Sequence, residues 1–132
     1  MRRKLIVFKS ELLNQIMNNY IVVLTTTPEK DAEKIASELV ESRSCACVNI
    51  ISGVTSIYHW QGKLEKERES ILLMKTENGK EGQIEEVLKG IHPYDLPELI
   101  VLPIKWGKRE YLEWISEWCF SRDKNTTQTR LS

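Results

Sequence analysis

Two periodicities alternate along the chain, and their order predicts an α+β domain with the elements β-α-β-β-α-β-α. Two further features sharpen this reading. A Gln61-Gly62 turn signal separates two long strand-like stretches, and the strand-like stretches are apolar at successive positions rather than at every second one.

The first strand is read in "YIVVLTTT", residues 20–27, which is short, apolar and β-branched. Thr27 is expected to cap a helix whose first position is Pro28, where a missing N–H does no harm. In that helix Ala32, Ile35, Ala36, Leu39 and Val40 fall on one face, with Glu29, Lys30, Lys34 and Glu38 turned to water. "CACVNIISGVTSIYHW", from Cys45 to Trp60, reads as a long strand with a bulge or bend at Ser52-Gly53. The Gln61-Gly62 turn folds it back onto "ESILLMKT", residues 69–76, as its hairpin partner. A second helix carries Ile84, Val87, Leu88 and Ile91 on one face. "ELIVLPIKW", residues 98–106, is a further strand, and "KREYLEWISEWCF", residues 108–120, is a terminal helix. Two right-handed crossovers around a central hairpin make a ferredoxin-like sandwich, with four antiparallel strands and both crossover helices on one side of the sheet.

The other side of that sheet wants burial too, because "IVVL", "CVNII", "ILLM" and "LIVL" do not alternate. One short terminal helix cannot cover it. A homo-oligomer is therefore expected, with sheets packed face to face and the long hairpin reaching a neighbour.

Composition narrows the function classes. The chain has 132 residues, 41% hydrophobic and 29% charged, which suits one domain with a single core. Nineteen basic and nineteen acidic residues cancel, and no stripe of Lys and Arg interleaved with aromatics stands out, so no nucleic-acid partner is expected. No stretch approaches the length of a membrane span, and the apolar run after "MRR" stops at Lys9, too short for a secretory leader. Three cysteines, two of them only two residues apart, favour reduced thiols and a cytoplasmic location. Residues 1–19 are read as an N-terminal extension outside the core, 20–120 as the folded domain, and 121–132 as a polar tail.

Few residues carry chemistry on their own. Cys45 and Cys47 on one strand stand roughly 6 to 7 Å apart, awkward for a single ion, and small buried thiols are common in cores. Cys119 on the last helix is read as packing, and His59 near the hairpin tip as an exposed side chain without a special task. His92 has two readings: it caps the second helix before Pro93 forbids continuation, or it contacts a ligand. Tyr94 and Glu98 place a phenol and a carboxylate close to that imidazole, as in a small polar pocket. Tyr58 and Trp60 are read as subunit packing, and the mixed charges from Lys63 to Glu69 as a solvated or interface-bordering ribbon. No nucleophile elbow, phosphate loop or HExxH occurs, so no enzyme is expected.

Taken together, "TTTPE", "CACVNI", "YHWQGKLE", "ILLMKT" and "HPYDLPELIVLPI" resemble the CutA family of divalent-cation tolerance proteins, in the same order from about Tyr20 to Trp118. The resemblance implies a homotrimer of ferredoxin-like subunits and a role in tolerance of copper and other divalent metals, with no organic cofactor. By position Cys47 and His92 match the family's recurring thiol and imidazole, and Glu98 completes the candidate metal ligands. Tyr58, Trp60, Gly62, Lys75, Pro93, Tyr94 and Pro97 match its signature. The chain departs from some members at Thr25 and Ile91, and each departure removes a candidate ligand. Ferredoxin-like trimers that resemble the PII signalling proteins supply the alternative, a sensor or adaptor with small anionic ligands between subunits, where Lys75 and the "HPY" turn would line the cleft.

Neither terminal segment has the apolar period needed to join a core. Deleting residues 1–16 together with everything after Phe120 is expected to leave oligomerisation and most thermal stability intact, as read by light scattering and calorimetry. Loss of soluble protein on the N-terminal deletion alone would show that "LIVF" docks.

Overall fold

The computed structural model describes residues 19–120, and the expectations for the N-terminal extension and the polar tail lie outside them. Strand β1 (Tyr20–Pro28) leads through a 3-10 turn (Glu29–Asp31) into helix α1 (Ala32–Glu41). The long hairpin of β2 (Cys47–Trp60) and β3 (Lys63–Glu77) follows, then helix α2 (Glu81–Ile91), β4 (Ile100–Pro103) and helix α3 (Arg109–Cys119). The sheet order is β2-β3-β1-β4, antiparallel throughout, which is the ferredoxin-like arrangement read from the sequence.

Alternation divides the sheet into two faces. On β1, Ile21, Val23, Thr25 and Thr27 are buried, while Tyr20, Val22, Leu24 and Thr26 between them are only partly covered. The buried set meets Leu72 and Met74 of β3, Ile35 and Leu39 of α1, and Ile84 and Leu88 of α2 in one apolar core. Both crossover helices thus cover the same face. The opposite face stays open: Ile51, Ile100 and Leu102 are each between 45 and 48% exposed, far more than core residues of their size. A smaller cluster joins Leu112, Ile115 and Cys119 of α3 to Ala46, Tyr20 and Trp118. Arg43 helps to hold α3 there. It ends α1 in the left-handed region at φ 61°, donates from Nη1 to the Trp118 carbonyl at 2.9 Å, and lies 4.0 Å from the centre of the Trp118 ring.

The hairpin outruns its neighbours. Residues 69–77 of β3 pair with β1, but residues 63–68 pair with β2 alone, so the turn end projects as an arm. Gln61 and Gly62 both have positive φ, 48° and 81°, as a two-residue I′ turn requires. The expected bulge lies between Ile51 and Val54, with Gly53 at φ 75°. Its N–H donates to the Glu29 carboxylate at 2.7 Å, and Arg68 Nε donates to the same oxygen at 3.1 Å. Those two bonds hold Glu29 below the usual carboxylate range, the Gly53 N–H contributing most.

Several boundaries differ from those read in the sequence: β2 starts at Cys47 rather than Cys45, and β3 starts at Lys63 rather than at Glu69. Thr27 does not cap a helix, because β1 continues through Thr27 and Pro28 opposite Ser70 and Glu69, and α1 starts only at Ala32. Pairing with β3 outweighs the local capping preference. The fourth strand is four residues rather than nine; Pro97 and Pro103 lack the N–H that a longer ladder needs.

Leu72 is fully buried at the centre of the main core. Leu72→Ala is expected to destabilise the fold by about 2–5 kcal/mol, read as a lower urea midpoint with an unchanged slope.

Candidate functional site

On the open face, the projecting arm and the segment between α2 and β4 enclose a cleft of about 760 Å³. Its walls follow from strand register. Tyr58 stands opposite Glu65, Ser56 opposite Glu67 and Val54 opposite Glu69, so the side chains of each pair leave the sheet on the same side. Glu65, Glu67 and Glu69 form a column down one wall, with Tyr58 and Trp60 beside it. Tyr94, Asp95, Leu96 and Glu98 close the other wall, and Thr26 is part of the lining where β1 enters.

The segment after α2 is fixed by three bonds. His92 follows the last turn of α2, and its own N–H donates to the Leu88 carbonyl at 2.8 Å. Its side chain turns away from that helix end. Nδ1 accepts from the Tyr94 N–H at 3.1 Å, which leaves Nε2 to carry the proton and donate to the Thr26 carbonyl at 2.9 Å. His92 is thus the backbone cap of α2 and a side-chain tie to β1. The Tyr94 hydroxyl donates to Glu69 Oε2 at 2.6 Å, and its ring centre is 4.9 Å from that of His92. Desolvation, followed by the bond to Glu69, pushes the Tyr94 phenol well above its ordinary value, so it remains a donor at neutral pH. Desolvation also raises Tyr58, with Glu67 as its main charged neighbour.

The electrostatics are one-sided. Among the described residues five carboxylates line the cleft and no lysine or arginine does. Two ion pairs occur among the described residues, Arg68–Glu29 and Lys89–Glu86, and neither uses a cleft carboxylate. Glu69 is only 4% exposed, so its charge is buried with a neutral phenol as its hydrogen-bond partner.

The candidate metal ligands are not gathered within one chain. Cys47 stands opposite Lys75, which stands opposite Val22, whereas His92 is tied to Thr26. Those levels differ by four residues of β1, about 13 Å along a strand. Glu98 is on the cleft rim near His92, but both imidazole nitrogens already have partners. Among the described residues no group of three or more His, Cys, Asp or Glu is placed to hold a metal ion. A chelated resident metal therefore does not fit this chain alone. Thr25 is fully buried on the helix-covered face, so a thiol there would enter the core and not the cleft. Ile91 packs against the same core. Cys45 and Cys119 are core residues as expected, and burial pushes the Cys45 thiol up to about 12.

Lys75 does not line the cleft. It stands lower on the open face, its Nζ 5.7 Å from the centre of the Tyr111 ring. Tyr58, Trp60 and Tyr94 do line it, together with an acidic column drawn from the ribbon read in the sequence as solvated or interface-bordering. The overlooked signal is alternation of sign: Glu65, Glu67 and Glu69 occupy the odd positions, and Lys66 and Arg68 the even ones.

The model of the CutA1 divalent ion tolerance protein family matches residues 20–118. A curated relative, the divalent-cation tolerance protein CutA of Thermus thermophilus, is 46% identical over 97 residues, covering 74% of this chain and 94% of the relative. A solved divalent cation tolerance protein (Cut A1) from the same species superposes with a TM-score of 0.72 at 48% identity, covering 75% of this chain and 97% of the other. The PII-like protein CutA from Nostoc, solved in its apo form, gives 0.71 at 33% identity, with coverage of 76% and 97%.

Removing the Tyr94 hydroxyl strips a buried carboxylate of its donor. Tyr94→Phe is expected to cost about 1–3 kcal/mol in denaturant unfolding at neutral pH, and Glu69→Gln in the same background is expected to recover part of it. A Tyr94→Phe protein as stable as the parent would show that water replaces the phenol.

Proposed function

Because the chain belongs to the CutA1 divalent ion tolerance family, we propose that it acts in divalent-cation tolerance as a non-enzymatic, cytoplasmic homotrimer that takes up cations in its acid-lined cleft. The observation that carries this reading is the cleft itself, five carboxylates without a compensating cation. A ligand of positive charge gains from that field, and a nucleotide or other anion is repelled.

Copper or another divalent metal is the cargo, and the carboxylates attract it as a hydrated ion. Direct ligation by His92 requires the ring to give up the Tyr94 or the Thr26 bond. Cys47 joins such a site only through a neighbouring subunit. Trimer formation is favoured by the half-exposed Ile51, Ile100 and Leu102 on the sheet face that neither crossover helix covers. The apolar part of that face is the subunit contact in this proposal, and the carboxylate column above it borders an opening between subunits.

A second reading, a PII-like sensor or adaptor, draws on the same fold and on the name of the Nostoc relative. Lys75 lies outside the acid-lined cleft of the single chain, and in this reading it would meet small anions in a separate cleft between subunits together with the "HPY" turn.

Two measurements test the proposal. Calorimetric titration is expected to show heat with Cu(II) or Zn(II) and none with ATP; the reverse result would favour an anion sensor. Sedimentation is expected to show a trimer in the parent, and Ile51→Asp is expected to dissociate it with the circular dichroism of the fold retained. A parent that sediments as a monomer would remove the trimer from the proposal.

A further inference from the structure

We propose that the cleft binds a linear aliphatic polyamine, with successive ammonium groups paired to Glu65, Glu67 and Glu69. This rests on the cation reading given above and names a ligand class for it. The three carboxylates leave one strand on one side at every second residue, so neighbouring members are about 6.6 Å apart along the strand. Among the described residues no group of three or more His, Cys, Asp or Glu is placed to chelate one ion, and the column is a row of spaced charges. It suits a chain of amines. Two residues of extended backbone span six bonds, and two ammonium nitrogens joined by four methylenes span five bonds of similar length, so each charge of a diamine meets its own carboxylate.

Three further observations favour an organic cation with an apolar stem. Tyr58 and Trp60 stand beside the column as large aromatic faces and, among the described residues, retain 38 and 46% exposure. Such faces attract ammonium groups and cover methylenes. Glu69, at the inner end, is 96% buried from its 4% exposure, and its bond to the Tyr94 phenol leaves its charge without a cation. A buried carboxylate at the end of an open cleft gains most from an arriving positive charge, because water screens it least. Glu69 is buried at the inner end, while Glu65 is half-buried and Glu67 exposed, so a linear ligand reaches the buried carboxylate from the side of the other two.

Calorimetry on the full-length chain tests this with spermidine, 1,4-diaminobutane and butylamine as probes. Affinity is expected to fall in that order and to weaken with added salt. Glu67→Gln, an exposed position that folding tolerates, is expected to weaken spermidine by about tenfold or more, and Glu113→Gln on α3, which removes the same charge elsewhere, by less than about twofold. Absence of spermidine binding, butylamine equal to spermidine, or equal losses in the two variants would each overturn the proposal. If Cu(II) or Zn(II) still binds the parent while spermidine does not, the polyamine inference fails alone. If neither binds, the cation reading of the cleft fails with it.

Discussion

The side-chain alternation of β3 is the constraint on which the rest of the molecule depends. One strand of fifteen residues serves two environments. In its second half Leu72, Met74 and Thr76 point into the helix-covered core, and the residues between them form the open face. In its first half, where β1 no longer accompanies it, the same alternation puts carboxylates toward the cleft and Lys66 and Arg68 away from it. Core and cleft therefore share a register. A slip of one residue would expose the core and turn Lys66 and Arg68 into the cleft in place of the carboxylate column.

The segment after α2 completes the cleft because it is anchored rather than free. Pro93 ends the helix, the imidazole of His92 reaches the β1 backbone, and the Tyr94 hydroxyl reaches Glu69. Each bond ties this segment to a different strand. The price is a histidine with both ring nitrogens occupied, which reconciles a family associated with metal tolerance with a chain that gathers no chelating set by itself. What the cleft offers, among the described residues, is five carboxylates outside any ion pair.

Much of the fold was legible from local signals. The helical faces, the Gln61-Gly62 turn, the Ser52-Gly53 bulge and the hairpin all follow from periodicity and turn chemistry, and the non-alternating strands correctly marked a sheet with a second apolar face. The misreadings share a cause. Thr27 looked like a cap because its pairing with Ser70 is non-local. The ribbon from Lys63 to Glu69, read as solvated or interface-bordering, has charges that cancel in sequence and separate only once the strand assigns them to opposite sides. Cys47 and His92 match one resemblance, and within one chain β2 holds Cys47 opposite Lys75 while the imidazole of His92 reaches β1 at Thr26. The tie from His92 to Thr26 spans 66 residues, and no local pattern encodes it.

The bulge at Gly53 has a consequence for surface chemistry. Before it, odd-numbered residues of β2 share a face with Lys75, Leu73 and Ile71; after it, even-numbered residues share that face with Glu69, Glu67 and Glu65. It is a dislocation that reverses the parity of the strand. Were it to migrate to the hairpin tip, Ile57 and His59 would replace Tyr58 and Trp60 as the wall, with no change in composition. The dislocation is pinned by the Glu29 carboxylate, bonded to the Gly53 N–H and to Arg68. A single acidic side chain in the turn after β1 thereby selects which half of a strand's residues the cleft presents to its ligand.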